Sequence, residues 1–204
     1  MMEKLKLAIL DMYDNEPNQG MRAIQEIVQS FGEQLDWEVF DVRGKAELPN
    51  AVDFDLYIST GGPGAPLDGD GIWDKKYYDF IDELWAWNKA DRGSKKYVFF
   101  ICHSFQMACH HFQIAEITKR KSRSFGTFPT HKTSAGEREL LFKNLEDPFT
   151  VADFRDWQVV QPNIDRMKSL GMKTLATEKK RPHVDLERAM MAVRFSPEFF
   201  GTQF

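Results

Sequence analysis

The sequence predicts an α/β fold, a three-layer sandwich in which a mostly parallel central sheet carries helices on both faces. Three observations lead there. Apolar runs of strand length recur at 5–10 (LKLAIL), 37–42 (WEVFDV), 54–59 (FDLYIS) and 97–101 (YVFFI). Helix-periodic segments lie among them, and strands alternating with helices imply parallel pairing with both sheet faces covered. Polar segments bearing glycines or a cysteine follow the third and fourth runs, where the carboxyl ends of parallel strands form a ligand crevice.

The elements follow in order. LKLAIL is bounded by polar residues and reads as a buried strand. From 21 to 35, Met21, Ile24, Ile27, Val28, Phe31 and Leu35 recur at steps of three and four and line one helical face. The strands at 37–42 and 54–59 come next, then the loop TGGPGAPLDGDG. From Ile72 to about Asn88, Tyr77, Phe80, Ile81, Leu84 and Trp85 share one stripe of a second helix. YVFFI is long and unbroken enough to be a central strand, and it ends at Cys102. A third helix starts near His103, with Phe105, Ala108, Cys109 and Phe112 on its apolar face. Beyond it, EITKRKSRSFGTFPTHKT reads as an antiparallel ribbon and FTVADFRDWQVVQPN as a strand and turn. MMAVRFSPEFFGTQF reads as two short strands joined at Ser196-Pro197-Glu198.

Composition narrows the function. A chain of 204 residues with 42% hydrophobic content buries one sizeable core, so residues 1–204 are expected to form a single domain. A formal charge of −4 carries no electrostatic footprint for nucleic acid or an anionic membrane, and the short KRKSR stretch reads as a solvated loop. Two cysteines, Cys102 and Cys109, are too few for a secreted disulfide framework. The first residues fit neither a signal peptide nor a membrane span, so a soluble cytoplasmic protein is expected.

Cys102 and the glycine loop are where chemistry concentrates. A thiol on a sharp strand-to-helix turn feels the positive end of the following helix, which favours the nucleophilic thiolate. A buried structural cysteine is the plain alternative. TGGPGAP lacks the Gly-Lys-Ser/Thr of a phosphate cradle. Leu67 stands where a dinucleotide fingerprint needs its third glycine, and Trp73 stands where a calcium loop needs its tight-turn glycine. What remains is close backbone approach to a substrate carbonyl, with N–H groups of Gly62 and His103 converging on one oxyanion. Zinc shared by Cys102 and Cys109 is excluded, because seven helical residues separate the thiols by about 10 Å.

GGPGAP at 61–66 and, about forty residues on, an apolar strand ending in CHSFQ at 102–106 together resemble the class I glutamine amidotransferase family, including the glutaminase part of GMP synthases. The resemblance spans essentially the whole chain in element order. It implies a flavodoxin-like architecture and hydrolysis of the glutamine side-chain amide through a thioester on Cys102. It also implies oxyanion donors at Gly62 and His103, substrate contacts from Gln106 and Gly64, and an ammonia-accepting synthetase as partner. No cofactor or metal is called for.

The chain departs from the family pattern in two places. Phe100 and Ser104 stand where the family's Gly-x-Cys-x-Gly-x-Gln has glycines. The family's triad is completed by His-Pro-Glu after a last strand like Gly-Val-Gln-Phe. One register matches that strand to Gly201-Thr202-Gln203-Phe204, which places the base after Phe204 and makes the 204 residues a form without the family's C-terminal end. The other register matches Val193–Glu198 and puts Ser196 in the base position. His103, His110, His111, His131 and His183 are weak substitutes for the base. Two other functions stay open: a cysteine hydrolase of γ-glutamyl or other amide bonds on the same fold, and a binding module without catalysis.

Overall fold

The computed structural model describes residues 4–91, 93–179 and 188–204. Its backbone divides into two compact units, residues 1–104 and 105–204.

The first unit holds four parallel strands in the order β2-β1-β3-β4: β1 (Leu5–Asp11), β2 (Leu35–Asp41), β3 (Leu56–Ser59) and β4 (Tyr97–Ile101). β1 is flanked on both sides, and its Leu7–Leu10 run is buried throughout. The register sets Leu7 beside Leu56 and Ile9 beside Ile58. Strand side chains alternate between faces, so these residues share one face, and there Val28, Met21 and Ile24 of helix α1 (Gln19–Gln29) pack against them. Tyr57 has the opposite parity, and its ring meets Phe80 of helix α3 (Trp73–Lys89) at 5.6 Å. This unit therefore has helices on both faces of its sheet. Asn18 caps α1 by accepting the Gly20 N–H at 2.6 Å.

α1 is shorter than its apolar period suggests. It stops at Gln29; Phe31 is exposed and Leu35 opens β2. The chain turns within Ser30–Gln34, where Ser30 Oγ bonds the Ile27 carbonyl and the Gln34 N–H returns to Phe31 O at 2.8 Å. Val42, read as the end of a strand, begins the single turn α2 (Val42–Lys45), capped by Asp41.

The second unit is antiparallel throughout, in the order β9-β8-β7-β5-β6: β5 (Glu116–Lys132), β6 (Phe149–Val160), β7 (Lys173–Glu178), β8 (Met190–Arg194) and β9 (Phe199–Thr202). The segment read as an antiparallel ribbon is instead the single long strand β5, which pairs antiparallel with β6 with a register shift between Lys119 and Ser124. The expectation of a mostly parallel sheet is corrected here, because the pairings within the first unit are parallel and those within the second are antiparallel. The physical reason lies in the connections: parallel neighbours need a crossover, usually a helix, whereas β8 returns directly into β9 through a tight turn. Met190–Val193, Phe199 and Phe200 are buried, and Phe195 packs between Phe105 and Phe112 at ring distances of 6.3 and 5.5 Å. No helix among the described residues is long and apolar enough to cross a membrane.

Candidate functional site

β4 runs into helix α4 (His103–His111) with one residue between them, and that residue is Cys102 at φ +50°. A side chain in the left-handed region costs of order 1–3 kcal/mol and persists only where its surroundings over-determine it. Ser104 supplies much of that constraint. Its hydroxyl donates to the Ser59 carbonyl at the end of β3 (2.6 Å) and accepts the Ile101 N–H at the end of β4 (2.9 Å). Ser59 Oγ in turn shares a 2.8 Å bond with the buried Tyr77 hydroxyl. The serine that replaces a glycine of the family pattern is thus a fully buried staple between two strand ends. Phe100, at the other glycine place, is fully buried in β4.

Cys102 is half-buried, whereas Cys109 is sealed inside and its thiol pKa is pushed well up by burial. Cys109 therefore stays protonated near neutral pH. The His103 N–H opens the first turn of α4, where backbone donors have no partner within the helix.

The glycine loop is fastened beside this turn. Thr60 accepts the Met12 N–H at 2.9 Å and donates to the Gly61 carbonyl at 2.9 Å. A Cβ placed on Gly61 would lie 3.6 Å from Cys102 Cβ, so the loop packs directly on the cysteine turn. A Cβ on Gly62 would come within 2.3 Å of the Met12 carbonyl oxygen, so only glycine fits there. Gly64 has φ +78° and open space where a side chain would stand.

Arg43, Tyr13 and the contact of the His103 imidazole with the loop escaped the sequence reading. Arg43 Nη1 donates to the carbonyls of Pro63 (2.7 Å) and Met12 (3.3 Å), and its guanidinium lies over the Trp73 ring at 5.3 Å. The His103 imidazole is buried and bonded to the backbone of Gly62. Burial first, and then the positive charge of Arg43, push its pKa down to about 3, so it is neutral at physiological pH. Tyr13, just past β1, sets its hydroxyl beside Gly61; burial, then the nearby Cys102 and Asp11, push its pKa up to about 12. The available signal for Tyr13 was its place after a strand's carboxyl end. Arg43 carried none.

Of the site residues expected from sequence, Cys102, His103, Gly62 and Gly64 lie in the first unit. Gln106 falls in the second, where it is buried and its Nε2 donates to Trp157 O (3.2 Å) and Gln203 Oε1 (3.0 Å). Ser196 closes the β8–β9 turn by accepting the N–H groups of Glu198 and Phe199 at 3.2 and 3.1 Å. His110 and His111 end α4, and His131 Nδ1 lies 3.9 Å from Asp147. His183 lies outside the described residues.

No protein-family model matches the chain, and no curated protein sequence matches it. Solved structures do. A glutamine amidotransferase from Thermotoga maritima superposes with a TM-score of 0.74 at 15% identity, over 100% of this chain and 76% of that one. A Thermoplasma acidophilum protein assigned as a GMP synthase subunit gives 0.69 at 16% identity, over 100% and 85%. The glutaminase domain of Trypanosoma brucei CTPS with bound acivicin gives 0.64 at 13% identity, over 98% and 85%. The chain has a class I glutamine amidotransferase-like fold.

Two predictions come from this geometry. Ser104→Ala leaves the Ile101 N–H and Ser59 carbonyl unsatisfied in the interior and is expected to cost about 1–3 kcal/mol, measured by urea denaturation. The second concerns pH. The folded protein keeps His103 neutral, whereas the unfolded chain binds a proton near the ordinary value of 6.5, so stability is full above that pH and falls as pH drops from there toward about 3. The slope is on the order of 1 kcal/mol per pH unit. Urea titrations at pH 7.5 and 5 are expected to show a smaller drop for His103→Gln than for the unaltered chain.

Proposed function

We propose that this protein is a cytoplasmic glutamine amidotransferase that hydrolyses the side-chain amide of glutamine and passes the ammonia to a synthetase partner. The observation that carries the reading is the left-handed turn at Cys102, at the start of α4, with the backbone of Gly61 in the glycine loop packed against it. The amidotransferase-like fold agrees with it.

In this reading Cys102 Sγ attacks the amide carbon, and the carbonyl oxygen gains negative charge. The N–H groups of Gly62 and His103 receive that charge. The carbon–nitrogen bond then breaks, ammonia leaves with an added proton, and water cleaves the thioester to glutamate and the free thiol. A general base carries the proton from the thiol to the departing nitrogen. His103 is the sole histidine of residues 1–104, and its neutral, buried, bonded state suits it to holding the loop instead. Arg43 holds the same loop through the Pro63 carbonyl. Gly64, at φ +78° with open space where a side chain would stand, leaves room at the loop for substrate.

A second reading is favoured by the internal bonds of Gln106, whose amide nitrogen is held by the Trp157 carbonyl and Gln203 instead of being turned to a glutamine substrate. It is a cysteine hydrolase acting on γ-glutamyl or other amides with the same nucleophile and oxyanion donors.

Glutamate release from glutamine by the full-length protein decides between these readings. Cys102→Ala is expected to reduce the rate by about a thousandfold or more; equal rates in both proteins would remove the claim. Preference for γ-glutamyl anilides over free glutamine would select the hydrolase. Arg43→Met keeps the bulk of the side chain and drops its bonds to Pro63 and Met12. It is expected to lower kcat by about tenfold to a hundredfold with a smaller change in KM, because one misplaced oxyanion donor acts on the transition state. An unchanged kcat would separate Arg43 from the oxyanion geometry.

A further inference from the structure

We propose that the second unit carries a binding site for a small phosphorylated molecule, in a cavity of about 410 Å3 that none of the Cys102 machinery lines. Strand β5 provides Arg120, Ser122, Ser124 and Thr130 to its wall, and the end of β7 provides Glu178 and Lys179. Phe128, Pro129 and Met191 give it an apolar side.

The polar wall is unusually deep. The side chains of Arg120 and Asp153, which line the cavity, are 4% and 3% exposed, and that of Arg155, which stands behind the wall and does not line it, is 1% exposed. Charges are buried at high cost unless they are paired, and here the pairing accounts for the carboxylates but not for all the donors. Arg155 Nε donates to both oxygens of Asp153 at 2.9 and 3.0 Å. Glu178 Oε2 accepts from Arg155 Nη2 at 3.0 Å and from Arg120 Nη1 at 3.1 Å. Two carboxylates are thereby matched by two guanidinium groups.

Several donors remain. Arg155 Nη1 and the Thr130 hydroxyl are buried without a partner among the described residues, and Thr130 lines the cavity while only 1% exposed. Arg120 bonds Gln158 and Glu178 through Nη1 and the Ser122 carbonyl through Nε, so Nη2 takes part in none of these bonds. Lys179 adds a cation on the wall. Arg123, also on the wall, faces exposed Asp156 at 3.8 Å, so its charge is offset.

The two carboxylates of the wall are matched by Arg120 and by Arg155 behind it, so Lys179 leaves an excess of one positive charge, with donors coming from β5 and from the residue that follows β7. A phosphate group presents terminal oxygens in several directions and accepts from donors spread in this way. A flat carboxylate is matched by one guanidinium fork and has no use for Thr130 and Lys179 together. The apolar side accommodates the organic part of the molecule. This inference stands apart from the reading of Cys102.

Calorimetric titration of the full chain with phenyl phosphate tests it, with benzoate and phenol as comparators at constant ionic strength. Saturable binding of phenyl phosphate is expected, with benzoate and phenol at least about tenfold weaker. Because Arg120→Ala would break the buried ion pairs and endanger folding, the informative variants are Thr130→Val and Lys179→Ala. Each is expected to weaken phenyl phosphate binding about tenfold, the effect of one hydrogen bond to a charged group, with the unfolding midpoint retained. Absence of saturable binding, an affinity unchanged in both variants, or benzoate binding as tightly as phenyl phosphate would each overturn the proposal.

Discussion

The first unit depends on the backbone strain at Cys102. A residue at φ +50° between a strand and a helix is unfavourable alone, and it persists because both sides of the turn are tied down. The Ser104 hydroxyl joins the end of β4 to the end of β3, and Tyr77 of α3 reaches the same strand end through Ser59. Strand, turn and two helices are thus linked through a few buried hydroxyls. The reactive candidate atom is held in place by groups that have no chemistry of their own.

The glycine loop follows the same logic with charged groups. Arg43 grips the Pro63 carbonyl, and the His103 imidazole binds the backbone of Gly62. These two side chains also shape each other, since the guanidinium charge discourages protonation of an imidazole already disfavoured by burial. A histidine next to a candidate nucleophile invites assignment as its base. Its burial and its bond to the loop make it a strut.

The second unit puts its polar groups to a different use. Asp153, Arg155, Glu178 and Arg120 form a chain of ion pairs spanning β5, β6 and β7, three strands whose pairing otherwise rests on ladder hydrogen bonds and apolar contacts. Buried pairs of this kind add little net stability. They are sensitive to register, because a shift of one residue would move Arg155 or Asp153 to the opposite face of β6.

The four strands of the first unit and the helix α3 were readable locally, because buried runs and the spacing of Tyr77, Phe80, Ile81 and Leu84 repeat within a few residues. The glycine loop, the cysteine turn and the SPE hairpin were readable for the same reason. The end of α1 was not: Phe31 and Leu35 keep the helical spacing, yet the chain turns at Ser30–Gln34 through bonds the period does not encode. Nor was the antiparallel share of the strands, which depends on how each strand returns to its neighbour. Arg43 and the staple by Ser104 were decided by tertiary structure alone. Ser104 meets Ser59 across 45 residues and Arg43 meets Met12 across 31, distances over which side-chain periodicity carries no information and strand register determines every contact.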